Sequence, residues 1–553
     1  MIKLELQGDY IYLKCEYGDK DKCHAIGTGR WSKVHDRWEF PRDAITTIAE
    51  VFKGQKFHAS QEVLDLLTSL RYRNTLLDNI KDKKQELPEH PFLMYHQKQC
   101  KLIAGYFPKF AFFLDTGTGK TIASAEIIQD KACKFLVICP KTIIKSAWVE
   151  DLEKFYPFMR LLPLSRNMSK EDYLDLYTKW GVTLPFNNNK DNLKVELTNH
   201  AHTYIINPES FKLDSEEIST YGIQGLIVDE SVIIKNPQSQ ITKEITRFAD
   251  TMEYVYILSG MPAPNGQMDY FSQMRIVDPA ILGNSFFSFR QRYFHPVGYM
   301  GYNWEINEDV EEDLARRIST KSISIRKEDC LDLPEKTYLR HIVELPDDAR
   351  KIYKTMEKQQ LAILTDTSEA ILATNKIASM MKLRQISSGF ILNEGEVSTI
   401  HDAKFNTLFD ILEEIGDKQV IIWCQFKHEI KIIEKELLDG DYKTVTAYSD
   451  TKDTDESIRM FKYGEAQYMV AHPASLKYGV TFTGCSYAIY YSKSYDLNEY
   501  KQSHDRIYRK GQEVPCTFID IIVEKTIDED IDKCVKDKGD VAGVIEGIIR
   551  RNS

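Results

Sequence analysis

Short apolar runs, each ending in a polar or Gly/Pro-rich loop, recur in two sets along this chain, with amphipathic helical patterns between them. The first set is 110–114, 135–139, 203–206, 225–228 and 254–258; the second is 419–423, 443–447, 468–471, 488–491 and 517–522. A strand that is apolar on both faces needs helices above and below it, which is the setting of a parallel sheet. The pattern therefore predicts an α/β protein with two parallel-sheet domains and ligands at the C-terminal ends of the strands. A helix-rich stretch, about 266–400, separates the two sets. Residues 1–85 read as a small α+β unit, with alternating runs at 10–15 and 38–40 and helical patterns at 44–52 and 61–70. The polar stretch 81–88 reads as a linker, and 187–192 as a surface loop. The expected domains are thus 1–85, 89–265, 266–400 and 401–538, with a tail at 539–553.

At 553 residues each of these domains is large enough for its own core. No apolar run approaches the ~18 residues of a membrane span, and the N-terminus alternates like a strand rather than a signal peptide. The expectation is a cytoplasmic protein. Ten cysteines are scattered without a Cys-x-x-Cys pair, which points to free thiols rather than zinc ligands or disulfides. A net charge of −11 excludes a general basic coat for nucleic acid but leaves room for a local footprint.

Asp115-Thr116-Gly117-Thr118-Gly119-Lys120-Thr121 lies between a strand-like run and a helical pattern at 122–128. Gly117 and Gly119 let backbone N–H groups of Thr116 to Gly119 turn toward a polyphosphate, and the helix N-terminus adds positive potential. Lys120 would reach the β- and γ-phosphates, and the Thr121 hydroxyl would ligate Mg²⁺. The loop rule asks for a further glycine where this chain has Leu114. The plain alternative is a strand–turn–helix that merely contains Gly-Lys-Thr. Leu226-Ile227-Val228-Asp229-Glu230 is an apolar strand ending in two carboxylates. Asp229 would hold the metal through water, and Glu230 would orient and deprotonate the attacking water. Arg506 and Arg509, three apart, share a face if they lie on a helix, and could stabilise a γ-phosphate as arginine fingers. The alternative for that pair is a solvated basic helix end stopped by Gly511.

From about Leu93 to Lys538 these motifs, in this order, resemble the Swi/Snf-type ATPases of helicase superfamily two. Leu93-Met94-Tyr95-His96-Gln97 is similar to the opening motif, whose glutamine reads adenine. Segment 136–141, running on to Trp148, resembles the Cys-Pro segment before a Trp-containing helix. Asp229-Glu230-Ser231-Val232 with Ile234-Lys235-Asn236 resembles the Asp-Glu-x-His box. Segment 258–265 is similar to the coupling motif, which makes Ser259, Gly260, Pro262 and Asn265 coupling residues, and Leu383-Arg384-Gln385 resembles the segment before the second half. Gln502 to Gln512 matches the terminal Gln-x-x-Asp-Arg-x-x-Arg-x-Gly-Gln motif, adding Gln502 to the coupling set. Three departures stand out. Val232 replaces histidine, Ser259 and Met261 replace threonines, and segment 476–480 keeps one glycine of a normally glycine-rich motif. The missing glycine at Leu114 marks the helicase class.

The resemblance implies two RecA-like halves with a helical insertion, ATP and Mg²⁺ as cofactors, and translocation along duplex DNA without processive unwinding. It places Lys141, Lys235 and Lys477 among candidate DNA contacts. Segment 29–41 is similar to the HepA-related domain of annealing helicases. There Trp31 and Trp38 flank a basic turn, and Arg30, Lys33 and Arg37 could meet phosphates while one tryptophan stacks on a base and the other packs. The reading is an ATP-dependent DNA translocase for fork remodelling, strand annealing or protein displacement, in a prokaryotic or phage-infected cell. A strand-separating DNA or RNA helicase and an ATP-binding subunit of a defence complex are the alternatives.

Overall fold

The computed structural model describes residues 2–8, 10–26, 29–165, 168–185, 189–297, 303–365, 372–393, 395–476 and 480–536. The chain divides into two compact units, Met1–Cys330 and Leu331–Ser553. Lys477, Tyr478, Gly479, two asparagines of the 187–192 loop and the tail lie outside the described residues.

The first unit opens with a mixed sheet of β1 (Ile2–Gln7), β2 (Tyr10–Lys14), β3 (Arg30–Ser32), β4 (Arg37–Pro41) and β5 (Phe57–Ala59), ordered β3-β4-β2-β1-β5. Alternation sends Ile2, Leu4, Ile11, Leu13, Trp38 and Phe40 to one face, where they form a core with Ile48 and Val63 from helices and Phe52 from the turn after the helix Ile45–Val51. The last of these helices, Gln61–Lys81, runs to the polar stretch. It is tied to the helix Tyr95–Tyr106 by Gln99, whose Nε2 donates to Ile80 O at 2.7 Å. The small α+β unit is therefore packed into the first compact unit rather than set apart by its polar linker.

The larger sheet of this unit contains β6 (Lys109–Leu114), β7 (Phe135–Ile138), β8 (Leu161–Pro163), β9 (Thr203–Ile206), β10 (Gly225–Asp229) and β11 (Tyr254–Leu258). A hairpin of β12 (Phe294–Val297) and β13 (Asn303–Ile306) stands apart, and β14 (Ser322–Ile325) completes the sheet. The order is β14-β6-β11-β10-β7-β9-β8, and every pairing is parallel. β7, β9 and β10 are buried along their whole length, as strands covered on both faces must be. Gly225 is required at the start of β10, because a Cβ there would stand 2.2 Å from the Phe135 ring on the neighbouring strand.

The second unit holds β15 (Lys336–Val343), the hairpin β16 (Phe390–Asn393) and β17 (Glu396–Thr399), then β18 (Val420–Trp423), β19 (Thr444–Ala447), β20 (Tyr468–Ala471), β21 (Tyr487–Tyr490) and β22 (Cys516–Val523). Its six-stranded parallel sheet runs β15-β22-β21-β18-β20-β19. The α/β class with two parallel sheets is as the sequence pattern predicts.

The stretch 266–400 needs correction. It is helix-rich but not a helical insertion from end to end. β14 within it joins the first sheet, Ser322 pairing with Ala111 and Ile325 with Leu114, and β15 joins the second. Both lie at sheet edges. β14 reads Ser-Ile-Ser-Ile, alternating polar and apolar, and most of β15 faces outward, so neither shows the apolar run that marks a central strand.

Candidate active site

β6, β10 and β11 end side by side, and their C-terminal loops carry the chemistry of the first unit. After Leu114 the chain turns through Asp115–Gly119 into the helix Lys120–Lys131. Gly117 and Gly119 take φ of 85° and 79°, a region that costs a side chain energy and glycine nothing. Gly119 is doubly constrained, since a Cβ there would come within 2.4 Å of Gln97 Nε2.

The loop is held from several sides. The Thr118 hydroxyl donates to Asp115 O at 2.8 Å. Asp115 Oδ2 accepts from the backbone N–H of Lys327 at 3.1 Å. His96 Nε2 lies 2.7 Å from Thr118 O. Gln97 is 2 % exposed, its Oε1 accepting from Met94 N–H and its Nε2 donating to Thr118 O and Gly119 O. The Nε2 end of that amide therefore fixes the loop while the Oε1 end is held at the start of the helix Tyr95–Tyr106, a use distinct from the adenine contact that the resemblance implies.

The first unit joins two motifs that are far apart in sequence. Lys120 Nζ donates to Glu230 Oε1 at 2.9 Å, with both side chains 11 % exposed. Asp229 is buried. Its Oδ2 accepts from Trp148 Nε1 at 2.9 Å, and its Oδ1 accepts from Glu230 N–H at 3.0 Å. Burial pushes the Asp229 carboxyl above its ordinary range, while the Lys120 charge pulls it down and Glu230 adds an upward push. Glu230 itself sits at φ 55°, a left-handed backbone that non-glycine residues adopt only where the surroundings impose it. Thr121 is buried in the first turn of the loop's helix.

Trp148 reaches Asp229 from a π-helical turn, Ile144–Val149, that follows the short helix Lys141–Ile143. The wider turn of a π-helix is uncommon and recurs at functional sites. Lys141 is exposed at the head of this segment, and Lys235 is half-buried beyond Glu230. Ser259 and Gly260 follow β11 and approach the phosphate loop so closely that a Cβ on Gly260 would lie 3.2 Å from Thr116 N and 3.3 Å from Leu114 O. Pro262 lies on the same loop, and exposed Asn265 donates its N–H to Asp269 Oδ2.

In the second unit the helix Leu497–His504 ends before the arginines. They stand on the turns beyond it, so the expected shared helical face is absent. The cause lies in the bonds of the side chains: Arg506 is 3 % exposed, with Nε donating to Gln502 O and Nη1 to Val480 O. Arg509 Nη1 donates to the Thr481 hydroxyl at 2.9 Å. Gln512 closes the segment through Cys485 O and Ile507 O.

On the N-terminal sheet the tryptophans divide their roles. Trp38 is 4 % exposed in the core, and Trp31, opposite it on β3, is 44 % exposed. Arg30 pairs with Glu39 at 2.8 Å, the Arg37 guanidinium lies 3.5 Å from the centre of the Tyr12 ring, and Lys33 is exposed. The sequence reading missed the bond from Trp148, the Ser231–Gln273 contact and the anchoring of Asp115 by Lys327. Each joins groups whose partners no local spacing reveals.

The SNF2-related domain model matches residues 45–389, more than half of the chain, and the helicase conserved C-terminal domain model matches 403–511. The chain thus belongs to the SNF2-related family, the DNA-dependent ATPases of helicase superfamily two. Among its relatives is protein p41 of Acyrthosiphon pisum secondary endosymbiont phage 1, 25 % identical over 442 residues, covering 75 % of this chain and 89 % of p41. A Caenorhabditis elegans homologue of SWI/SNF-related matrix-associated actin-dependent regulator of chromatin subfamily A-like protein 1 is 23 % identical over 78 % of this chain. The DNA repair and recombination protein RDH54 of Saccharomyces cerevisiae is 24 % identical over 72 % of it. The matches span 58 % and 44 % of those two longer proteins. Among solved structures, the Sulfolobus solfataricus SWI2/SNF2 ATPase core in complex with dsDNA is 21 % identical, with 81 % of this chain and 92 % of that one covered, at a TM-score of 0.38. Among the described residues no helix is long and apolar enough to cross a membrane.

Proposed function

We propose that this protein is an ATP-dependent translocase acting on duplex or branched DNA, with 89–265 and 401–538 as its RecA-like domains and 1–85 as a DNA-binding accessory. The observation that carries the reading is the 2.9 Å contact of Lys120 with Glu230, which brings the phosphate-binding and water-activating motifs together. In this arrangement Lys120 neutralises the general base. When the β- and γ-phosphates arrive, Lys120 exchanges Glu230 for phosphate oxygens, and the released carboxylate can take a proton from water. Binding of ATP thus switches on the base that hydrolyses it.

Thr121 and Asp229 are hard oxygen donors that suit Mg²⁺, and a divalent cation would stabilise the Asp229 carboxylate that burial disfavours. When bound, the ion would neutralise phosphate charge. Trp148 and the Glu230 N–H hold the Asp229 carboxylate in one orientation. Arg506 and Arg509 are assigned to the charge that develops on the γ-phosphate. Lys141, Lys235 and Lys477 are assigned to the DNA backbone, and Trp31, Arg30, Lys33 and Arg37 to DNA structure. Backbone contacts predict binding that is indifferent to sequence and sensitive to salt. Fork remodelling, strand annealing or protein displacement is the work such a motor would do.

The test compares ATP hydrolysis with duplex, forked and single-stranded DNA and with RNA. Duplex or forked DNA should stimulate turnover most, and Lys120→Ala and Glu230→Gln should abolish it. Equal rates with and without nucleic acid would refute the motor reading.

A further inference from the structure

Behind the catalytic carboxylates runs a buried polar path whose central residues, Ser272 and Gln273, belong to none of the motifs above. Ser231, next to Glu230, is fully buried, and its hydroxyl donates to Gln273 Oε1 at 2.6 Å. Gln273 is equally buried on the helix Tyr270–Val277. Its Nε2 donates to Pro262 O at 2.6 Å and to Asp269 O at 2.8 Å. A buried primary amide is costly unless both its ends are bonded, and this one is bonded at both ends by different loops. The preceding residue on the helix, Ser272, donates to Lys235 O at 3.3 Å. Two consecutive side chains of one helix therefore grip the start and end of segment 231–235, while one of them also grips the loop after β11. That loop in turn abuts the phosphate loop at Gly260.

The arrangement has a mechanical reading. A shift of the phosphate loop displaces the Ser259–Pro262 loop, and the Gln273 amide carries the displacement to Ser231 and hence to Glu230. Val232, apolar and half-buried, has no side-chain donor or acceptor with which to make such a link.

We propose that Gln273 is a positioning residue that, through Ser231 and Pro262, couples the phosphate loop to the general base Glu230; this rests on the motor reading above. Ser231 and Gln273 act as one unit, so losing either breaks the same path.

The test uses the full chain with Ser231→Ala, Gln273→Leu and the double variant. DNA-stimulated kcat and the KM for ATP are measured, together with displacement of a triplex-forming oligonucleotide from duplex DNA per ATP hydrolysed. Loss of a buried hydrogen bond on the path should lower stimulated kcat about tenfold, with KM held within about twofold. The double variant should be no worse than the worse single variant, because coupled residues are not additive. Displacement per ATP should fall in each. A merely structural role would instead lower thermal stability, give additive losses and leave displacement per ATP unchanged, which would overturn the proposal. If Gln273→Leu does not fold, Ser231→Ala decides alone, and an unaltered stimulated kcat sinks the inference. Wild-type protein without DNA stimulation would remove the motor reading and this coupling with it. Stimulated wild type beside an unaltered Ser231→Ala removes the coupling only.

Discussion

Replacing Lys120 by alanine should destabilise the first unit in a manner that depends on pH and is repaired by a second substitution. Lys120 is the cation beside two buried carboxylates, 2.9 Å from Glu230 and pulling down the Asp229 carboxyl. At that distance and an effective dielectric of ~20 the gross attraction is about 6 kcal/mol, roughly half of it offset by desolvation. Removing the cation strands the carboxylates, for a net cost of about 3 kcal/mol at pH 8. In a unit of this size that corresponds to a fall of about 4 °C in the thermal midpoint. The sign of the pH dependence is set by Asp229. A carboxyl held above its unfolded value binds more protons in the native state, so its effect is least harmful below the unfolded value and stability is lost as pH rises through the folded one. Without Lys120 the upward shift grows, so Lys120→Ala should lie nearest wild type at pH 5 and furthest at pH 8. Adding Glu230→Gln removes one stranded charge and should recover about half of the loss. Thermal unfolding of the nucleotide-free protein at the two pH values provides the assay. A deficit independent of pH, or a double variant less stable than Lys120→Ala, would show that these charges are solvated and that the contact is incidental.

Trp148→Phe keeps an aromatic side chain, smaller than the indole, and removes the donor to Asp229; steady-state kinetics should show kcat reduced about tenfold or more, as expected for a charge-assisted bond worth about 1.5–3 kcal/mol, with a smaller change in KM. The two N-terminal tryptophans should separate cleanly. Trp38→Ala should cost about 3–5 kcal/mol of the small domain's stability in chemical unfolding. Trp31→Ala should leave stability within about 1 kcal/mol of wild type, and in gel-shift titrations it should weaken binding to forked DNA.

Much of the site was legible because its chemistry is local. A phosphate loop needs two glycines at fixed spacing, and a strand-end Asp-Glu is recognisable by the apolar run before it. The central strands betray themselves by being apolar on both faces. What sequence hides is whatever depends on distant partners. Trp148 reads as an ordinary core residue until Asp229 is found at its indole N–H. Gln273 sits in a helical pattern where a buried amide makes sense only once Ser231 and Pro262 are in place. Arg506 and Arg509 look like neighbours on a helix, and only the carbonyls of Gln502 and Val480 show why the helix stops first. β14 and β15 escape notice because edge strands are selected to be unlike central ones.

The late arrival of β14 bears on how the protein can be made and dissected. β6, which carries the phosphate loop, is flanked by β11 on one side and by β14 on the other, and Lys327 just beyond β14 fastens Asp115. A ribosome must therefore translate through β14 before β6 loses its open edge. Until then that edge is an apolar template for another nascent chain. A fragment that stops near 265, where the motifs of the first half end, would keep every recognisable residue yet expose β6. An expression fragment for the first half should run through Cys330.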